Sequence, residues 1–275
     1  MLGSLGAGAG AVAASASAAG TPICVSAHHP RAAARMSANI AAALARRPHS
    51  VTGLAASDPA LGVTCALRSA SHFYAASVIK VTILSALLLK IGGVGHLTSA
   101  QRNLADAMIT QSSNSAATQL WNEVGMTSMQ RFLNRAGMSH TVLSSAWGLT
   151  RITPQDELTQ LHLLSVPGKV LGVHARDYVL TLMAEVVSSQ RWGVSAGAGR
   201  GVTVHIKNGW LPYPRAADWN INSLGVFTGK NINYQVAVLT APASGGQGES
   251  YGIQTVQLAA GIINRNLAGL DALFG

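Results

Sequence analysis

Ser77 and Lys80 lie three residues apart at the head of "SVIKVTILSALLLK", a run that is otherwise almost wholly apolar. At that spacing two side chains share one face of a helix and can touch. An ammonium ion is costly in apolar surroundings; burial lowers its pKa, and a neutral amine can take the proton of a nearby hydroxyl. Ser77 would then be a nucleophile, with its backbone N–H at a positive helix N-terminus where an oxyanion could settle. The same pair also fits an N-capping serine followed by a lysine that snorkels to solvent. Two other stretches supply company. "ITQSSNSAA" places Ser112 and Asn114 in a break between helices, from which side chains can point into a cleft. "VHIKNGW" places Lys207 at the end of an alternating strand, followed by Asn208, by Gly209, which lets a ligand approach the backbone, and by Trp210.

The elements that must position these residues follow from periodicity. Residues 30–47 read as a helix, with Met36, Ile40 and Leu44 on one face and Pro48 as its stop. "VTGLAAS" and "GVTCALR" read as two strands around the turn "DPAL". After the Ser77 helix come helices over 98–111, 115–124 and 127–137, the last ended by Gly137. The helix over 153–164 has Thr153 as N-cap and Pro154 at its first position, and another helix covers 174–189. In the strand over 202–210, Val202, Val204 and Ile206 alternate with Thr203, His205 and Lys207. Two strands over 220–229 and 233–240 and a helix carrying Ile253, Val256, Ala260, Ile263 and Leu267 complete the chain. This order predicts an α/β (α+β) fold: an antiparallel sheet flanked by terminal helices, with an inserted all-helical domain and a cleft between the two. The α/β domain takes residues 23–70 and 200–275, the helical domain 71–199, and a leader 1–22.

Composition narrows the class. The net charge is +9 with only 11% of residues charged, and Arg46-Arg47 is the only adjacent pair of arginines. That pattern suits a modestly basic enzyme surface better than a polyanion-binding face. No stretch is long and apolar enough to span a bilayer. The leader offers small-residue sites at Ala14-Ser15-Ala16 and Ala16-Ser17-Ala18, as a secretory signal does, or is a low-complexity tail; a signal would place the protein outside a bacterial cytoplasm. Cys24 and Cys65 are then one disulfide or two free thiols. The nine histidines do not fall at metal-ligand spacings, and "GAGRGV" lacks the following helix of a phosphate loop. No metal, cofactor or nucleic acid is expected; the expected partner is a small-molecule or peptide substrate, met by a monomer.

Taken in order, "SVIK", "SSN" and "KNG" resemble the S-x-x-K, S-x-N and K-[ST]-G motifs of the penicillin-recognising serine hydrolases, the serine β-lactamases and D-Ala-D-Ala peptidases. The resemblance runs from about residue 30 to the end and is closest to the class A β-lactamases and the actinobacterial serine hydrolases related to them. "RNLADAMITQSSNSAATQLW" and "LTRITPQDELTQLHLL" carry it outside the motifs. It implies that Ser77 is acylated, that Lys80 is its base, and that Ser112 relays a proton to the leaving atom. Asn114 would hold an amide of the substrate, Lys207 would supply positive potential, and the backbone N–H groups of Ser77 and Trp210 would form the oxyanion hole. Asn208 and Gly209 would also contact substrate. Three departures qualify this. Ser113 replaces a carboxylate, and Asn208 replaces the hydroxyl that binds a substrate carboxylate. The omega loop, which carries the deacylating glutamate of class A enzymes, is reduced to "MSHTVLSSAWGLTRI", with no acid. Asp156 and Glu157, just beyond it, fit a helix N-terminus, where negative charge is favoured. The expectation is a Ser77 acyl-enzyme formed on an ester, amide or peptide, with weak or no β-lactam turnover. The alternative is a non-catalytic module of the same fold that binds peptidoglycan or a peptide.

Overall fold

In a computed structural model, which describes residues 21–212, 219–243 and 248–274, the chain opens with a three-residue strand, β1 (Cys24–Ser26). Residues 1–20, most of the leader, and Tyr213, which by sequence could form with Trp210 an aromatic wall at the cleft mouth, lie outside the described residues. Pro30 occupies the first turn of α1 (Pro30–Ala45), whose Met36 and Ile40 are fully buried. Strands β2 (Ser50–Asp58) and β3 (Val63–Leu67) pair around a turn in which Asp58 accepts the N–H of Leu61. Then follow β4 (Phe73–Tyr74) and α2 (Ile79–Ile91). The helical run continues with α3 (Ser99–Thr110), α4 (Asn114–Val124) and α5 (Met126–Ala136). The chain then passes through β5 (Arg151–Ile152), α6 (Pro154–Ser165) and α7 (Val173–Ala184). It ends in β6 (Thr203–Pro212), β7 (Trp219–Gly229), β8 (Ile232–Pro242) and α8 (Gly248–Phe274).

Local chemistry sets these boundaries. Thr98 and Gln101 form a reciprocal capping box at α3, and Thr153 caps α6 through the N–H of Asp156. Ser113 caps α4 through Ala116, so the residue that replaces the family's carboxylate has a structural task here. Gly92 and Gly137 close α2 and α5 in the left-handed conformation.

Six strands form one antiparallel sheet in the order β1-β3-β2-β8-β7-β6; β4 and β5 make a separate pair. β1, β4 and β5 escape sequence reading because two or three residues cannot display a period of two. Cys24 stands opposite Cys65 in the β1–β3 register, and the two form a disulfide. One sheet face packs Phe227, Val236 and Val238 against Met36 and Ile40 of α1 and Val256 and Ile263 of α8. The other packs Leu224, Val226, Ala237 and Leu239 against the helical layer. Every residue of α2 from Ile79 to Leu88 is buried, so this helix is the core of that layer. A lysine in its first turn therefore has no apolar-to-water boundary to snorkel across. Among the described residues no helix is long and apolar enough to cross a membrane.

Candidate active site

The approach to Ser77 is held from two sides. Ala75 N–H donates to Thr150 O at 2.8 Å, and the Asn222 amide donates to the carbonyls of Tyr74 (2.7 Å) and Ala75 (3.0 Å). Ala76 then adopts φ +48°, the left-handed region that costs an L-residue about 1–2 kcal/mol. This turn throws the chain into a single 3₁₀ turn, Ala76–Val78, ahead of α2. Ser77 sits in that turn and is 9% exposed.

β6 is the open edge of the sheet and passes so close that a Cβ on Gly209 would lie 2.8 Å from the backbone nitrogens of both Ser77 and Val78. Those neighbours are backbone and cannot swing away. Gly209→Ala should therefore push β6 off the Ser77 turn and slow acylation of Ser77 at least about tenfold; an intact-mass time course with an acylating probe checks this. The carbonyls of Val204 and Asn208 accept from Arg191 and Lys207 side chains beyond the strand edge. Alternate residues of an antiparallel strand send their backbone groups the same way. The N–H of Trp210 therefore points outward from the edge, on the side of the Ser77 turn.

Lys80 is fully buried. Its amine donates to Ser112 O (2.6 Å), Ser112 Oγ (3.2 Å) and Asn114 Oδ1 (2.8 Å), and lies 5.0 Å above the Trp147 ring. Lys207, equally buried, donates to the same Ser112 Oγ at 2.9 Å and to Asn208 O at 2.9 Å. Ser112 reaches this position with φ +58° in the break between α3 and α4. Burial lowers Lys80 to about 7. Burial first, and then the charge of Lys80, hold Lys207 well below the ordinary lysine range. Ser77 Oγ makes no hydrogen bond among the described residues, and the Lys80 amine is turned to Ser112 and Asn114 rather than to it. The structure thus brings Ser77, Lys80, Ser112, Asn114, Lys207, Gly209 and Trp210 to one seam between the sheet edge and the helical layer.

Asn208 is the exception. Expected to meet substrate, it points to the opposite face of β6 from Lys207, as strand alternation requires. Its amide donates to Gln190 O (2.7 Å) and Trp192 O (3.0 Å), and its carbonyl oxygen accepts from Ser223 Oγ. His205, on the Lys207 face, is held between Leu180 O and Thr228 Oγ1.

Trp147 was not singled out from the sequence. The shortened loop carries it over Lys80, where its indole N–H donates to Thr118. With Asn114, Leu149, Trp210 and Leu211 it lines a cavity of about 280 Å³ that opens onto Ser77. The two acids after the loop do not line this cavity. Asp156 accepts from His140 N–H and from Thr141 Oγ1, which fastens the start of the loop to α6. Glu157 is fully buried, neither of its oxygens has a partner among the described residues, and burial together with the charge of Asp156 raises it to about 8. The expected first-turn carboxylate is therefore a largely neutral acid at pH 7.

A serine at the head of a buried central helix, met by the edge strand of an antiparallel sheet, defines the penicillin-recognising serine hydrolases as the class to which this fold and site correspond. The chain belongs to the beta-lactamase enzyme family, whose model matches residues 92–265, a range that takes in Ser112, Asn114 and Lys207. Among solved structures it is similar to a beta-lactamase from Desulfarculus baarsii (20% identity, TM-score 0.71, covering 85% of this chain and 97% of that one). PBP-A gives 19% identity and a TM-score of 0.72, over 86% of this chain and 96% of that one. A class A beta-lactamase representative from Bacteroides cellulosilyticus gives 16% and 0.74, over 86% and 98%. No curated protein matches the sequence.

Proposed function

We propose that the protein is a serine hydrolase that forms an acyl-enzyme on Ser77 with an ester, amide or peptide, and that it turns over β-lactams weakly or not at all. The observation that carries this reading is the meeting of two buried amines on Ser112 Oγ beside an unbonded Ser77 hydroxyl. Ser77 Oγ attacks the carbonyl and its proton passes to the neutral Lys80 amine, directly or through Ser112. The oxyanion is received by the N–H groups of Ser77 and Trp210. Ser112, polarised by Lys207, returns the proton to the leaving oxygen or nitrogen. Hydrolysis of the ester on Ser77 then needs an activated water. The loop over 138–150 offers no acid, Asp156 is engaged and Glu157 lies buried away from the cavity, so the acyl-enzyme should persist. A variant of PBP-A, one of the structures similar in fold, is described as an acyl-enzyme complex with penicillin G, which supports acylation on such a scaffold. The Cys24–Cys65 disulfide supports action outside the cytoplasm.

The turn of Lys80 toward Ser112 and Asn114 favours a second reading, a non-catalytic module that binds peptidoglycan or a peptide in the same seam. Intact mass after incubation with a fluorophosphonate or with penicillin separates the two. A single fluorophosphonate adduct on the wild type that is absent from Ser77→Ala is expected; no adduct with either probe leaves only the binding module.

A further inference from the structure

The walls of the cavity over Ser77 narrow the substrate, given the acyl-enzyme reading above. At about 280 Å³ the cavity is near the lower end of small-molecule sites, about 300 Å³. Trp147 and Leu149 close it from the loop, Trp210 and Leu211 from β6, and Trp192 braces Trp210 edge-on with ring centres 5.9 Å apart. None of the described lining residues carries a charge, and Asn114 is the polar side chain beside Ser77. The two neighbouring cations are not offered to the space. Lys207 is fully buried, with its amine on Ser112 Oγ and Asn208 O; Lys80 is buried too, with its amine on Ser112 and Asn114. The amide of Asn208 faces the back of the strand. A carboxylate brought into this cavity would lose part of its hydration and meet no cation among the described residues, which is unfavourable. An aliphatic or aromatic chain would instead cover indole and leucine surface and release water.

We infer that the site selects uncharged acyl groups with an apolar body and discriminates against acyl groups that bear a carboxylate. The matched pair that tests this is the S-ethyl thioester of valeric acid and that of glutaric acid, which share chain length and leaving group and differ in a terminal carboxylate. Acylation of Ser77 is followed by intact mass and by release of ethanethiol, with each rate divided by that ester's own hydroxide-catalysed rate. The valeryl ester should acylate at least tenfold faster; a ratio below tenfold, or a reversed one, overturns the selectivity. Leu149, 43% exposed at the rim, provides a gain-of-function arm. Leu149→Arg supplies the missing cation and should raise the glutaryl rate at least threefold, and a glutaryl rate that does not rise also overturns the inference. Failure of both esters to label Ser77 overturns the acyl-enzyme reading and the selectivity with it, whereas equal labelling overturns the selectivity alone.

Discussion

Acylation of Ser77 should accelerate about tenfold between pH 6 and pH 8 and level off above, while Lys80→Ala should acylate at least about 100-fold more slowly at every pH. Burial holds the Lys80 amine at about 7, so one pH unit to either side moves its neutral, proton-accepting fraction from about a tenth to about nine tenths. The Lys207 amine, on the same hydroxyl, is lowered partly by the charge of Lys80, so the pair resists carrying two protons at once. Quenched intact-mass time courses at five pH values read both effects. A flat wild-type profile from pH 6 to 8, or a Lys80→Ala rate within tenfold of wild type, would remove Lys80 as the base. Lys80→Met, which keeps most of the side chain's length and volume, guards against collapse of the site being mistaken for loss of chemistry.

Glu157→Gln should stabilise the protein by on the order of 4 kcal/mol at pH 9 and by far less at pH 4. The folded carboxyl titrates at about 8, against an ordinary 4.5, because it is buried without a partner and beside Asp156. Below pH 4.5 both folded and unfolded states hold the proton, and the site has no pH-dependent effect. Between 4.5 and 8 the unfolded chain releases it and the folded protein does not, so stability falls as pH rises, by about 1.4 kcal/mol per unit. Glutamine keeps the shape and removes the titration. Denaturant unfolding at the two pH values measures the change; an equal difference at both would mean that Glu157 is charged when folded. The buried amines act with the opposite sign. Lys80, lowered to about 7 from 10.5, adds stability as pH rises from 7 to 10.5 and gives it up as pH falls back over that window, with no further change below 7. The two windows overlap, so the contributions of Glu157 and Lys80 offset each other between about pH 7 and 8.

The long elements were readable because their burial is one-sided or complete. Met36, Ile40 and Leu44 mark the face of α1, and the alternation around Lys207 marks β6. Ser77, Lys80, Ser112, Asn114 and Lys207 could be singled out because "SVIK", "SSN" and "KNG" occur in one order on matching elements, where each alone also has a structural reading. The alternation along β6 also held the correct orientation of Asn208: if Lys207 faces the helical layer, its neighbour faces the other way, toward the segment around Gln190 and Trp192. The motif drew it into the cleft because it stands where the family carries a hydroxyl that binds substrate. Trp147 and Glu157 were not readable. Trp147 owes its place to the path of a loop with no period of its own, and Glu157 to a rotation of α6 that its capping pattern does not specify. The left-handed conformations of Ala76 and Ser112 were equally hidden, since neither residue type signals them.

The rear anchorage of Asn208 has a consequence for how this sequence can change. Its one amide group serves Gln190 O, Trp192 O and Ser223 Oγ, and Ser223 Oγ in turn receives the N–H of Val194, whose carbonyl is held by Asn264. A hydroxyl residue at 208, the type that the family's motif carries, would leave at least one of those carbonyls without its donor. A hydroxyl residue at 208 is thus not a neutral single exchange: segment 188–196, Ser223 and Asn264 form a background on which Asn208 is the compatible choice.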